Sequence, residues 1–297
     1  MTRWALAAAL AIGVCSLEAQ RTPLRSSIEL TVVTATVRDE TGKLVGGLPR
    51  EAFEVFEDGA PVPVSQFTNE RVPLGLGLLL DTSDSMFGRR IKDAEAAVEA
   101  FLTLQLDPAD AFFVMTFNHE PRLLFGWKTQ PDGLHDALAS LKPTGATAIY
   151  DAMLAAMPYL QSRPRERAAI VLITDGSDTA SDATLHDLRP ALIRSDAFVY
   201  AIAVDTPEPL YRANRVNVDT LNEITSQSGG RTEVVRVPAD IPVAAASIAD
   251  ELNHQYVLGY SSPHPGDGQY HSIRVRTKNP AYRVRSRTGY VAVKRGS

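Results

Sequence analysis

The chain has one cysteine, Cys15, inside its first twenty residues, so the rest can form neither an internal disulfide nor a thiolate metal site. Excess positive charge is also missing. Thirty Lys and Arg stand against 35 Asp and Glu, a net charge of −5, which argues against a nucleic-acid partner. No later apolar run approaches the roughly 18–20 residues of a transmembrane helix, since even residues 241–249 are broken by Pro242 and Ser247. The six histidines, His119, His135, His186, His254, His264 and His271, show no His-Glu-x-x-His or comparable spacing. Zinc hydrolysis therefore has little support, and the histidines read as surface residues. Low-complexity tracts and internal repeats are lacking, and 44% hydrophobic with 22% charged residues is the composition of an ordered globular protein.

What is present begins with an address. Arg3, an apolar stretch over 4–14 and a small-residue stretch ending near Ala19 and Gln20 have the layout of a secretory signal peptide, which implies a secreted or periplasmic protein. Ile12-Gly13-Val14-Cys15 resembles a lipoprotein box. Val14 stands where that box takes Gly, Ala or Ser, so a plain leader residue is favoured over a lipid anchor at Cys15.

Residues 21–72 read as a small β unit. A β-branched run over 28–37 leads to a turn at 39–42, and 53–56 and 62–67 alternate around a second turn at 57–60. Over 73–251 short buried-strand runs alternate with amphipathic helical stretches, the pattern of a doubly wound, mostly parallel α/β sheet. Strands are expected at 75–80, 111–117, 168–174 and 197–204, with an antiparallel edge strand at 123–127. Ile91, Ala94, Val98, Phe101 and Leu102 recur at helical spacing, and further helices are expected near 132–141, 149–162, 183–194, 217–228 and 240–253. Residues 252–297 return to β. About 45 residues are few for an independent core, so this segment is expected to pack with 21–72 as one accessory β unit.

One constellation carries chemistry. Asp81-Thr82-Ser83-Asp84-Ser85 places an acid and two hydroxyls directly after a buried strand and before a helix, where open α/β sheets bind ligands. Thr147 falls in a loop before a helix and Asp175 at a strand end, completing an oxygen-only set. This pattern, Asp-x-Ser-x-Ser, then Thr, then Asp, resembles the von Willebrand factor type A (integrin I-like) domain and its metal-ion-dependent adhesion site. The resemblance implies that Ser83, Ser85 and Thr147 ligate a divalent cation, with Asp81 and Asp175 holding it directly or through water. Mg²⁺ suits such hard oxygen donors, with Mn²⁺ or Ca²⁺ as substitutes. It further implies a partner protein that supplies a carboxylate to the ion. Asp84 stands where many members have Gly. The flanks, including Leu48-Pro49-Arg50 and Arg287-Thr288-Gly289-Tyr290, look similar to a secreted bacterial group with such domains, abundant in Acidobacteria.

Other signals take plainer readings. Asp151 either supports the Thr147 loop or is an exposed acid favoured by the helix dipole. Asp178 and Asp182 read as a solvated acidic loop. Arg274, Arg276 and Lys278, like Arg283, Arg285 and Arg287, alternate as the solvated face of two strands, and Tyr256, Tyr260, Tyr270, Tyr282 and Tyr290 as core packing. The function expected is a non-enzymatic, metal-dependent adhesion module; the alternative is a structural envelope component whose metal stabilises the fold. Phosphoryl transfer from Asp81 is disfavoured, because Ser83 stands where α/β phosphatases carry a second Asp.

Overall fold

A β-branched run forms β1 (Leu30–Arg38) and an alternating one β2 (Phe53–Glu57), followed by the short strands β3 (Ala60–Val62) and β4 (Gln66–Thr68). The computed structural model describes residues 30–104, 107–162, 167–205 and 216–293. The leader over 1–20 and Cys15 lie outside the described residues.

From Leu74 another sheet begins, whose inner strands are almost continuously apolar, as burial on both faces requires. Its strands are β5 (Leu74–Asp81), β6 (Ala111–Phe117), β7 (Pro121–Lys128), β8 (Arg167–Thr174), β9 (Phe198–Val204) and β10 (Thr232–Val235). They form one sheet in the order β10-β9-β8-β5-β6-β7, parallel except for the edge strand β7. The sequence reading had no strand at β10. The intervening helices are α1 (Arg89–Leu104), α2 (Leu134–Ala139), α3 (Ile149–Gln161), α4 (Leu185–Ser195), α5 (Val218–Ser228) and α6 (Ile241–Asn253). Leu76, Leu78 and Leu80 of β5 pack on one face against Ala94, Val98 and Phe101 of α1 and Ile248 of α6. Leu79 faces the other way, into a core with Met153 of α3, Leu188 of α4 and Leu221 of α5. The fold is thus a helix-sheet-helix sandwich of the doubly wound class.

The chain ends with β11 (Tyr256–Ser261), β12 (Tyr270–Thr277), β13 (Arg283–Ser286) and β14 (Gly289–Val291). These pair antiparallel with the opening strands in two four-stranded sheets, β13-β1-β11-β4 and β14-β12-β2-β3. Val33 lies opposite Leu258, and Val55 opposite Val275. Val33, Ala35, Phe53, Val55, Tyr256, Tyr260, Ile273 and Val275 share one buried core between these sheets. Two expectations are corrected here. The hairpin expected over 53–67 is only β2 with β3, because β4 joins the other sheet beside β11. Residues 282–293 form two short strands, since the chain changes sheets near Arg287, a switch that alternation does not encode.

The face given to the basic residues is also corrected. Arg274 and Arg276 are exposed, but Arg285 and Arg287 turn inward. Arg285 meets Glu251 of α6, which is fully buried. Glu251 also accepts hydrogen bonds from Arg38 of β1 at 2.7 Å, Arg231 at 2.9 Å and the Tyr200 hydroxyl of β9 at 3.0 Å. Burial alone would raise the Glu251 pKa; Arg285, Arg38 and Arg231 outweigh it and hold the carboxyl below its usual range. A second guanidinium closes the α/β unit. Arg167 donates to the carbonyls of Val72 and Leu252, the residues where the chain enters and leaves it. No helix among the described residues is long and apolar enough to cross a membrane.

Glu251→Gln, which removes the charge and keeps the shape, is expected to cost about 3–5 kcal/mol in chemical denaturation. Because the folded pKa is depressed, this stabilisation is complete above the ordinary Glu value of about 4.3 and is lost as pH falls through the folded value. An acid-unfolding midpoint that does not move in the variant would remove Glu251 as the tie between the sheets.

Candidate metal centre

In the central sheet the chain runs from β5 outward to β6 and returns on the other side of β5 with β8. That reversal opens a crevice beyond the carboxyl ends of β5 and β8, which are Asp81 and Thr174. The turn after β5 is pinned by Thr82, whose N–H and hydroxyl both donate to the Phe117 carbonyl, at 2.7 and 3.0 Å. Asp81 Oδ1 accepts the Ser83 N–H at 2.8 Å, turning the chain so that the Ser83 and Ser85 hydroxyls lie 3.1 Å apart. Asp81 Oδ2 accepts from the Thr174 hydroxyl at 2.6 Å, which couples the β5 end to the β8 end. Asp175 follows, with its carboxylate 2.9 Å from Arg90 and hydrogen-bonded to Ser85.

The loop before α3 is drawn in through its backbone. Thr144 N–H donates to the Thr82 carbonyl at 2.8 Å, and Asp84 N–H to the Gly145 carbonyl at 2.9 Å. Gly145 has φ +80°, and a Cβ there would meet the His119 ring at 2.9 Å, so the position requires glycine. Thr147 is fixed by Thr179, whose hydroxyl accepts its N–H at 3.0 Å and whose N–H donates to its carbonyl at 2.8 Å. Direct hydrogen bonds thus join Asp81, Ser83, Ser85 and Asp175, whereas Thr147 is positioned through its main chain. Asp81 and Ser83 are fully buried, Thr147 and Asp175 are 4% exposed, and the site opens to solvent at Asp84 and Ser85.

The electrostatics are unbalanced. Burial, and then the nearby Asp175 carboxylate, push Asp81 up to about 7, against the opposing hydrogen bonds from Thr174 and Ser83. Burial also raises Asp175, opposed by Ser85 and Arg90. Arg90 pairs with Asp175, while Asp81 is held by the Thr174 hydroxyl and the Ser83 N–H.

Two participants escaped the sequence reading. Thr174 was read only as part of a strand. Arg90 has a usable signal: a cation in the first turn of a helix opposes the dipole, and its place four residues before Ala94 and seven before Ala97 puts it on the buried face, so it needs an acid partner. The acidic residues nearby also need correction. Asp151 accepts the Asp182 and Ala183 N–H groups at 2.9 and 3.0 Å, so it holds that loop and not the Thr147 loop. Asp178, read as solvated, accepts the Tyr150 N–H at 3.1 Å and anchors the start of α3. His271, read as a surface residue, is 5% exposed and lies far along the chain, against Asp58 and Asp267.

Residues 76–177 match the family model for the von Willebrand factor type A domain. Among curated proteins the chain is similar to the uncharacterized protein sll0103 of Synechocystis sp., 26% identical over 175 residues, which are 58% of this chain and 40% of that protein. It is also similar to human inter-alpha-trypsin inhibitor heavy chain H4, 29% identical over 130 residues, 40% of this chain and 14% of that protein. The chain therefore spans well under half the length of either relative. Among solved structures it is similar in fold to a von Willebrand factor type A protein from Catenulispora acidiphila, with TM-score 0.52 and 14% identity, covering 91% of this chain and 75% of that one. An aerotolerance-related membrane protein from Bacteroides fragilis gives TM-score 0.51 and 20% identity, covering 61% and 98%.

Arg90→Met, which leaves two buried carboxylates without their cation, is expected to destabilise the protein by about 3–5 kcal/mol in chelator-treated buffer. A denaturation midpoint equal to that of the parent protein would mean that Arg90 does not neutralise the site.

Proposed function

We propose that the von Willebrand factor type A domain carried by this chain is a metal-dependent protein-binding module working outside the cytoplasm. In this reading Asp81, Ser83, Ser85, Thr147 and Asp175 hold one divalent cation, Mg²⁺ in first place. The observation that carries it is the unbalanced pair of buried carboxylates beside two serine hydroxyls, at the switch point of the sheet. The donor set fits: five hard oxygen side chains match Mg²⁺ better than a soft metal. Arg90 supplies one positive charge against two negative ones, leaving a deficit that a cation relieves. The partially exposed Ser85 rim lets a partner carboxylate reach the ion. The leader-like residues 1–20 support a secreted or periplasmic location. No reaction belongs to this reading.

A second reading, in which the cation mainly stiffens an envelope component, draws on the backbone hydrogen bonds that tie the 81–85 and 143–148 loops together. Asp81→Ala separates the two. Loss of partner capture with little change in melting temperature supports adhesion, and collapse of the fold supports the structural role.

The raised Asp81 pKa makes a signed prediction. A folded-state pKa above the unfolded one disfavours folding as pH rises, so the metal-free protein should lose stability between about pH 4 and pH 7, by up to about 1.4 kcal/mol per unit. Mg²⁺ should abolish that slope, and its affinity should rise with pH up to about 7 before levelling. A flat metal-free profile in calorimetry would contradict the assignment. Thr147→Val, which exchanges a hydroxyl for a methyl of similar shape, is expected to weaken Mg²⁺ binding in isothermal titration while the fold persists. Unchanged affinity would take Thr147 out of the set.

A further inference from the structure

A separate cluster lies in the flanking β sheets, where the β2 end meets the β11–β12 loop. Glu57 and Asp58 come from the amino-terminal segment, His264 and His271 from the carboxy-terminal one. One ligand atom from each lies within 4.8 Å of all the others. The His264 and His271 rings stack in parallel, centroids 4.7 Å apart and planes 1° apart, and the Nδ1 atoms of both lie near Asp58. His264 Nδ1 is 3.2 Å from Glu57 and 4.0 Å from Asp58, and His271 Nδ1 is 2.7 Å from Asp58. A tetrahedral zinc site with bonds of 2.0–2.2 Å sets its ligand atoms about 3.3 Å apart, a spacing these donors approach; because an imidazole lone pair lies in the plane of its ring, one of the two stacked rings must turn for both Nδ1 atoms to reach one ion.

Their surroundings are ordered as a ligand set requires. Asp58 Oδ1 is held by the Ser272 N–H and hydroxyl at 2.8 and 3.1 Å, which leaves Oδ2 for the shared centre. Glu57, 1% exposed, is held by the Ser262 hydroxyl at 2.7 Å and the Tyr290 hydroxyl at 3.3 Å. His271 presents Nε2 to Asp267 at 3.0 Å, and Asp267 is itself fixed by the Gln269 N–H at 2.7 Å. A carboxylate behind a histidine in this way fixes the ring of a metal ligand. Among the described residues no Lys or Arg forms an ion pair with these three carboxylates. The Tyr260 hydroxyl is buried beside Glu57 and hydrogen-bonds to it, a further hold on that carboxylate.

We propose that Glu57, Asp58, His264 and His271 bind a divalent transition ion, Zn²⁺, as a clip between the two ends of the chain. Two imidazoles and two carboxylates select such an ion over Mg²⁺ or Ca²⁺, which take all-oxygen sites. Coordination at His271 Nδ1 breaks its hydrogen bond to Asp58 and releases the shared proton to solvent. The ligands are more than 200 residues apart in sequence, so the bound ion closes a long loop in a chain whose single cysteine precludes an internal disulfide.

The test is titration of the full chain with Zn²⁺, and with Co²⁺ as a visible reporter of geometry. Expected are one Zn²⁺ equivalent, a raised melting temperature and intense tetrahedral Co²⁺ absorption that Zn²⁺ displaces. His264→Gln, at a half-exposed side chain, should lose the Co²⁺ spectrum, and Asp267→Asn should weaken Zn²⁺ binding about 10–100-fold. Thr147→Val should leave Zn²⁺ affinity unchanged. The proposal is overturned if Zn²⁺ does not bind saturably, if affinity is the same in His264→Gln and Asp267→Asn, or if Thr147→Val is the variant that loses it. Mg²⁺ binding at Asp81 is read separately, so either site can fail alone.

Discussion

The architecture depends on a single buried carboxylate. Glu251 sits on α6, inside the α/β unit, yet two of its three guanidinium partners, Arg38 and Arg285, belong to the flanking strands β1 and β13. Without that charge three partly buried arginines would converge with nothing to neutralise them, which works against seating the flanking sheet on α6. Burial works against an ionised Glu, but three cations and the Tyr200 hydroxyl are enough to keep it charged. The interaction is therefore directional: it turns the Arg285 face of β13 and the Arg38 end of β1, which pair with each other, toward the helix.

The same accounting, applied at the other end of β5, gives the opposite outcome. Arg90 pairs with Asp175, and the pKa of Asp81, buried beside that carboxylate, is pushed upward by both the burial and the charge. A stable fold has no need of such an acid at a rim that opens to solvent. Glu251 has three guanidiniums to offset its burial, whereas burial prevails at Asp81 and raises it.

Much of the α/β unit was readable because parallel strands buried on both faces leave unbroken apolar runs, as in residues 76–80 and 111–117. Asp81 and Asp175 could be placed at strand ends for the same reason: the run stops where the acid begins. Arg90 and Thr174 were not read, because their roles depend on contacts between loops more than eighty residues apart. The flanking sheets were harder still. Alternation predicts that Arg285 faces away from a neighbour such as Val284, but it cannot say that the outer side is covered by α6. His271 was misread similarly, since its burial follows from the pairing of β12 with β2 and β14. Local periodicity reports one face against the other; which face is wet is settled by segments far away in sequence.

Arg167 holds together the carbonyls of Val72 and Leu252, the two points where the polypeptide passes between the flanking sheets and the α/β unit. The two ends of that unit are thereby neighbours. The whole α/β unit leaves the flanking sheet after β4 and returns at β11, which pairs with β4 as well as with β1, so the long excursion between them costs that sheet no separation of its strands.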